Sequence, residues 1–118
     1  MSAPTELRVS KDRRTLRVAF ADEAHDIPAE LLRVESPSAE VQGHDPSQKK
    51  TIGGKRDVTI TDIVPTGRYA VRIVFSDGHD TGLYSWDILR RYGREQEAMM
   101  ADYEAALARI GQTRRARR

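Results

Sequence analysis

The stretch Arg68-Tyr69-Ala70-Val71-Arg72-Ile73-Val74-Phe75-Ser76-Asp77-Gly78-His79 decides the fold class. Tyr69, Val71, Ile73 and Phe75 share one face of an extended chain, and Ala70, Arg72 and Val74 share the other, which is the period of a β-strand. Apolar groups on both faces predict a central strand. Asp77-Gly78 is a pairing favoured in two-residue type I′ turns, so His79 to Tyr84 are expected to return antiparallel. Before this strand, Val58, Ile60 and Asp62 alternate with Thr59, Thr61 and Ile63. Pro65-Thr66-Gly67 then supply the dihedrals of a tight reversal.

Toward the N-terminus, Leu7 and Val9 alternate with polar neighbours, as do Leu16, Val18 and Phe20 beyond the link Lys11-Asp12-Arg13, which predicts a β-hairpin. A short helix is expected from Pro28 to Glu35, with proline in its first turn. Pro37 ends it, because the residue before a proline is pushed toward extended geometry. Glu40 to Arg56, 17 residues rich in glycine and polar groups, reads as one long loop.

Toward the C-terminus, Ser85 is a suitable N-cap and Asp87 suits the positive end of a helix, while Gly93 is expected to stop that helix. A separate helix is predicted over 94–110, its apolar stripe formed by Met99 or Met100, Tyr103, Leu107 and Ile110. Residues 111–118 carry no apolar anchor and are expected to be disordered. The elements add up to an α+β fold: a small, mostly antiparallel β-sheet domain over residues 1–93, short helices packed on it, and a C-terminal helix.

At 118 residues, 38% apolar and 32% charged, the chain suits one modest core under a charged surface. It contains no cysteine, which excludes disulfides, thiolate catalysis and cysteine-ligated metals within it. No apolar run approaches the roughly 18 residues of a membrane span, and no leader pattern is present, so a cytoplasmic location is expected. Four of the 20 basic residues are Arg114, Arg115, Arg117 and Arg118; without them the balance is 16 basic to 18 acidic. A basic tail on a slightly acidic body is a weak nucleic-acid signal, because phosphate affinity grows with the number of cations that act together.

Three segments carry a family resemblance: Asp26-Ile27-Pro28-Ala29-Glu30-Leu31-Leu32-Arg33 onward through Ser36-Pro37-Ser38 to Gly43-His44, then Pro65-Thr66-Gly67-Arg68-Tyr69-Ala70-Val71-Arg72-Ile73, then Phe75-Ser76-Asp77-Gly78-His79-Asp80-Thr81-Gly82-Leu83-Tyr84-Ser85-Trp86. In this order and spacing the chain resembles the DUF971 family, the gamma-butyrobetaine hydroxylase-like N-terminal domain, over Leu7 to Gly93. The resemblance implies a module that stands alone or is joined to iron-dependent oxygenases or to Mrp-type iron–sulfur ATPases. Such a protein is the partner expected for this chain, with iron or zinc as the cofactor to consider. In the hydroxylase branch the resemblance also implies a zinc site of three cysteines and a histidine. Ser36 and Ser38 fall at two of those cysteine positions, and only the histidine, His79, is retained. The iron-binding triad of the oxygenase belongs to a second domain for which this chain has no room.

Two chemical readings of the residues stand beside the resemblance. His44 and His79 with Asp77 or Asp80 form an inventory suited to a metal if the long loop folds onto the Asp-Gly turn; otherwise the histidines are surface hydrogen-bonders. Ser36, His79 and Asp77 form a nucleophile–base–acid inventory, but no nucleophile elbow presents the serine. Gly53-Gly54-Lys55 lacks the spacing of a phosphate-binding loop. The expectation is a non-enzymatic binding or adaptor module. Its working surface comprises Ser36, Pro37, Ser38, Glu40, Gly43, His44, Arg72, Asp77, Gly78, His79, Thr81 and Trp86, the last of these either part of an aromatic patch or part of the core.

Overall fold

The computed structural model describes residues 3–115. Two antiparallel three-stranded sheets enclose one principal core. Strands β1 (Glu6–Val9), β2 (Thr15–Ala19) and β3 (Ala24–Pro28) form the first, in that order; β4 (Ile60–Thr66), β5 (Ala70–Phe75) and β6 (Leu83–Ser85) form the second, with β5 central. The α+β class and the predicted first hairpin are both present, with Leu7 opposite Val18 and Val9 opposite Leu16. Arg13 takes the turn with φ 62°. Its backbone carbonyl accepts from Ile60 N–H at 2.8 Å and its guanidinium reaches the Ile60 carbonyl at 3.1 Å, so the turn of one sheet is tied to the start of the other.

Strand β3 is not expected from the sequence, because Ile27 is the one strongly apolar residue that Ala24-His25-Asp26-Ile27 offers to the core. Its pairing comes from β2, with Leu16 opposite Ile27. Pro28 then stands as the extended N-cap residue of α1 (Ala29–Val34), one position before the helix that was expected to contain it. Leu31 and Leu32 of α1 join Leu16, Val18, Ile27, Ile60, Val71, Ile73 and Phe75 in the core. The long loop is also less irregular than expected: α2 (Ala39–Gln42) and a 3-10 turn (Pro46–Gln48) lie within it.

In the second sheet Pro65 belongs to β4, opposite Val71, and the reversal falls after it at Gly67, φ 61°. Proline is tolerated there because β4 is an edge strand whose outward N–H has no ladder partner to lose. The Asp-Gly turn forms, but only Gly78 has positive φ, which excludes type I′. Gly78 N–H donates to Phe75 O and Phe75 N–H to His79 O, giving a three-residue loop with a glycine bulge.

Helix α3 runs unbroken from Trp86 to Arg109, so the expected boundary at Gly93 is absent. Gly93 serves close packing instead: a Cβ there would lie 2.4 Å from His25 Cγ of β3. Ser85 caps the helix, its Oγ accepting the Ile88 N–H at 3.2 Å. Tyr103 and Leu107 pack with Val34 in a second small cluster, whereas Ile110, expected on the same stripe, is exposed. Beyond the helix, Thr113 and Arg114 are hydrogen-bonded to the 54–56 loop, which corrects the expectation of a disordered tail for these positions. Arg117 and Arg118 lie outside the described residues. Among the described residues no helix is long and apolar enough to cross a membrane.

Candidate functional site

The C-terminal end of α1 runs into Ser36-Pro37-Ser38, and two tyrosines fix its exit. The Tyr84 hydroxyl donates to Leu32 O, and the Tyr92 hydroxyl to Glu35 O at 2.6 Å. Gln42 Nε2 donates to Ser36 O at 2.9 Å, folding α2 back over the segment. The first satisfies a carbonyl that the six-residue helix leaves unpaired at its end, and the others hold the carbonyls of the residues just beyond it. Ser36 and Ser38 are thereby aimed at the loop that follows β5.

From that loop His79 enters. Its Nε2 lies 2.9 Å from Ser36 Oγ and 3.4 Å from Ser38 Oγ, and the two hydroxyl oxygens are 3.1 Å apart. Its Nδ1 faces Glu40 Oε2 at 3.4 Å. With Nδ1 turned to the carboxylate, the ring proton belongs there and Nε2 accepts from a hydroxyl. Burial, and then the nearby Arg33 guanidinium, lower the His79 pKa against the pull of Glu40, Asp77 and Asp80, so the ring is neutral at pH 7. Glu40 also accepts from Thr81 Oγ1 at 3.0 Å, bridging α2 and the hairpin loop.

Asp77 organises the turn beneath. Its Oδ1 accepts the His79 N–H at 3.0 Å, while its Oδ2 takes Arg33 Nε at 2.7 Å and Lys55 Nζ at 2.6 Å. Burial pushes this carboxyl upward, but the Lys55 ammonium, the His79 N–H and Arg33 outweigh it and lower the pKa to about 2. Arg72 pins Asp80, three residues on, with Nη1 3.2 Å from Asp80 O and 3.4 Å from its Oδ2. Asp77 and Asp80 are therefore committed to protein cations.

Ser36, His79 and Glu40 have the connectivity of a nucleophile, base and acid, with Glu40 in the place the sequence offered to Asp77. The nucleophile is sealed. Ser36 has 0% of its surface exposed, and a Cβ on Gly82 would come within 2.4 Å of its hydroxyl and 3.3 Å of Pro37 Cδ. In this arrangement the hydroxyl is covered, and the three residues fasten the 36–40 segment to the loop after β5.

The zinc implied by the family resemblance does not fit this donor set. Two neutral hydroxyls are poor zinc ligands, and here they are already hydrogen-bonded to the one imidazole. His44 is exposed and engaged locally, its N–H donating to Gln48 Oε1 at 2.8 Å. Among the described residues no three His, Cys, Asp or Glu side chains gather as a metal-binding group, so the set of His44 and His79 with Asp77 or Asp80 is not assembled here.

The expected surface residues thus divide. Ser36, Ser38 and His79 are buried; Pro37, Gly43, Arg72 and Trp86 are half-buried; Glu40, His44, Asp77, Gly78 and Thr81 are exposed. Trp86 leans on the core and its Nε1 donates to Arg68 O at 2.8 Å. Gly43, φ 71°, must be glycine for a second reason, since a Cβ would meet Gln48 Cβ at 2.5 Å. Arg33, Gly82, Tyr92 and Gln42 complete the site and were not singled out from the sequence, while Tyr84 was considered there for an aromatic patch and Lys55 as part of a loop tip. Only Gly82, inside the predicted return strand from His79 to Tyr84, carried any signal of close approach.

Comparisons with known proteins agree with this architecture. Among curated proteins none matches the chain. It is similar to two NMR solution structures: one is 39% identical with TM-score 0.86, covering 100% of this chain and 94% of the other, and the second is 38% identical with TM-score 0.83, covering 98% and 87%. It is also similar to the crystal structure of a protein of unknown function of the DUF971 family from Acidithiobacillus ferrooxidans, at 38% identity and TM-score 0.62, covering 75% of this chain and 89% of that one. The model of the family "Gamma-butyrobetaine hydroxylase-like, N-terminal" matches residues 7–90. With that span matched and the fold shared, the chain belongs to the gamma-butyrobetaine hydroxylase-like N-terminal, or DUF971, family.

Proposed function

We propose that this protein is a non-enzymatic binding module whose partner-facing edge is built from α2 with the turn after it and from the 79–82 loop. One observation carries the reading: the Ser36–Ser38–His79 fastening is sealed from solvent, yet it holds together two segments that present Glu40, His44, Asp80 and Thr81 outward. A buried clip under an exposed polar edge suits recognition, because it lowers the entropy lost when the edge binds. By family analogy the partner is an iron-dependent oxygenase or an Mrp-type iron–sulfur ATPase, met in the cytoplasm; membrane and nucleic acid have no role in this reading.

Affinity capture from native cells, run in parallel with a Glu40→Lys/Thr81→Lys variant, tests it. A specific partner retained by the parent and depleted at least about tenfold by the variant supports the module, since reversed charge at an interface rim slows association and opposes docking. Turnover of a substrate by the pure protein, abolished by Ser36→Ala, would overturn it. Elemental analysis of the same preparation separates it from the competing reading, in which His79 retains iron or zinc.

A further inference from the structure

The chain does not leave the molecule at the end of α3. Gly111, φ 70°, reverses it, and Gln112 N–H donates back to Leu107 O at 2.9 Å. Thr113 O then accepts Gly54 N–H at 2.9 Å and Arg114 O accepts Arg56 N–H at 2.8 Å. The approach is close enough that a Cβ on Gly53 would lie 2.8 Å from the Thr113 carbonyl oxygen. Arg114 locks the segment with Nε 2.9 Å from one oxygen of Glu30 and Nη2 2.7 Å from the other, while Nη1 reaches Glu104 at 3.2 Å. Glu30 is 5% exposed, so removing Arg114 would leave a buried carboxylate without its partner.

Between the two residues held by this segment stands Lys55, whose ammonium lies 2.6 Å from Asp77 Oδ2. The same carboxylate takes Arg33 on that oxygen and the His79 N–H on its other one. A continuous set of contacts therefore runs from Arg114 through the 54–56 backbone and Lys55 to the turn beneath His79. We propose that Gln112–Arg114 form a strap whose seating on Glu30 sets the geometry of the Asp77–His79 turn, so that release of Arg114 loosens the candidate binding edge. An exposed segment outside helix and sheet opens more readily than the core, which gives the strap seated and released forms. The proposal rests on the preceding reading only in calling that edge a binding surface; the coupling itself needs no partner.

Amide hydrogen exchange followed by NMR on the full chain tests it, comparing the parent with Arg114→Ala and with Lys55→Met. Arg114→Ala is expected to speed exchange at Gly54 and Arg56 by about tenfold or more and at His79 by about threefold or more, leaving Ile73 in the core within about twofold. Lys55→Met is expected to speed His79 alone. If Arg114→Ala unfolds the protein, Arg114→Ala/Glu30→Gln removes the unpaired carboxylate and is read in the same way. Unchanged rates at Gly54 and Arg56, or accelerated rates there with His79 unmoved, overturn the proposal. Because no partner enters the measurement, a failed capture experiment leaves this result standing, and the reverse also holds.

Discussion

Gly82 and His79 show what single residues decide here. Gly82→Ala would press a methyl group onto the Ser36 hydroxyl and, at 3.1 Å, onto the Tyr84 ring, both fixed by their own hydrogen bonds. Overpacking of this kind costs about 1–3 kcal/mol. Urea unfolding should show that loss, and an undiminished midpoint would mean that the clip is looser than its geometry. His79 has a folded pKa below the ordinary 6.5, so the unfolded chain takes up the proton first as pH falls. Its contribution to stability is complete above about pH 6.5 and is lost as pH drops through the folded value. Replacing His79 with Gln should flatten that part of the stability profile, and urea midpoints at about pH 7.5 and about pH 5 would reveal it. Equal slopes in both proteins would contradict the assignment. The serine–histidine seam was legible as an inventory, because Ser36, Ser38 and His79 stood in the quoted segments. Its closure was not, since no local pattern places Gly82 over Ser36.

At the scale of elements, the long helix is the informative case. Gly93 lowers intrinsic helix propensity by about 1 kcal/mol relative to alanine, which is why it reads as a stop. The helix passes through it because β3 brings the His25 ring against the bare backbone, and packing outweighs propensity. Around this crossing Glu23 gathers Arg94, His25 and Arg90 and is held down to a pKa of about 2, chiefly by Arg94 and then His25 against desolvation. The sign of one substitution should therefore depend on the background. Gly93→Ala alone is expected to destabilise, whereas in a His25→Gly background, which also removes the His25 Cβ that would lie 2.7 Å from the new methyl, it should stabilise by about 0.5–1 kcal/mol, the helix preference now acting unopposed. A double-mutant cycle in denaturant measures this, and the same sign in both backgrounds would refute the packing account. Strand β3 went unread for a related reason: with one strongly apolar residue facing the core, it acquires its identity from the ladder with β2.

Across the whole molecule, stability comes from one core between two sheets, a small second cluster under α3, and polar clips between distant segments. The hydroxyl–imidazole seam supplies its own hydrogen bonds, so prolonged dialysis against a strong chelator is expected to leave Tm unchanged. A fall of more than about 4 °C, corresponding to about 1 kcal/mol for a domain of this size, would reveal a resident metal that stabilises the native state.

Taken alone, the amino-acid order determined the first hairpin, the central strand β5, the Ser85 cap and the Tyr103 and Leu107 positions of the helical stripe. Each depends on residues a few positions apart, where side-chain period and backbone preference act directly. Only the tertiary structure decided that His79 meets Ser36 across 43 positions, that Arg114 returns to Glu30 across 84, and that Gly93 lies inside a helix. Those outcomes depend on which surfaces the core brings together. A buried carboxylate or hydroxyl must find a partner wherever packing puts one, and sequence periodicity does not say where that will be.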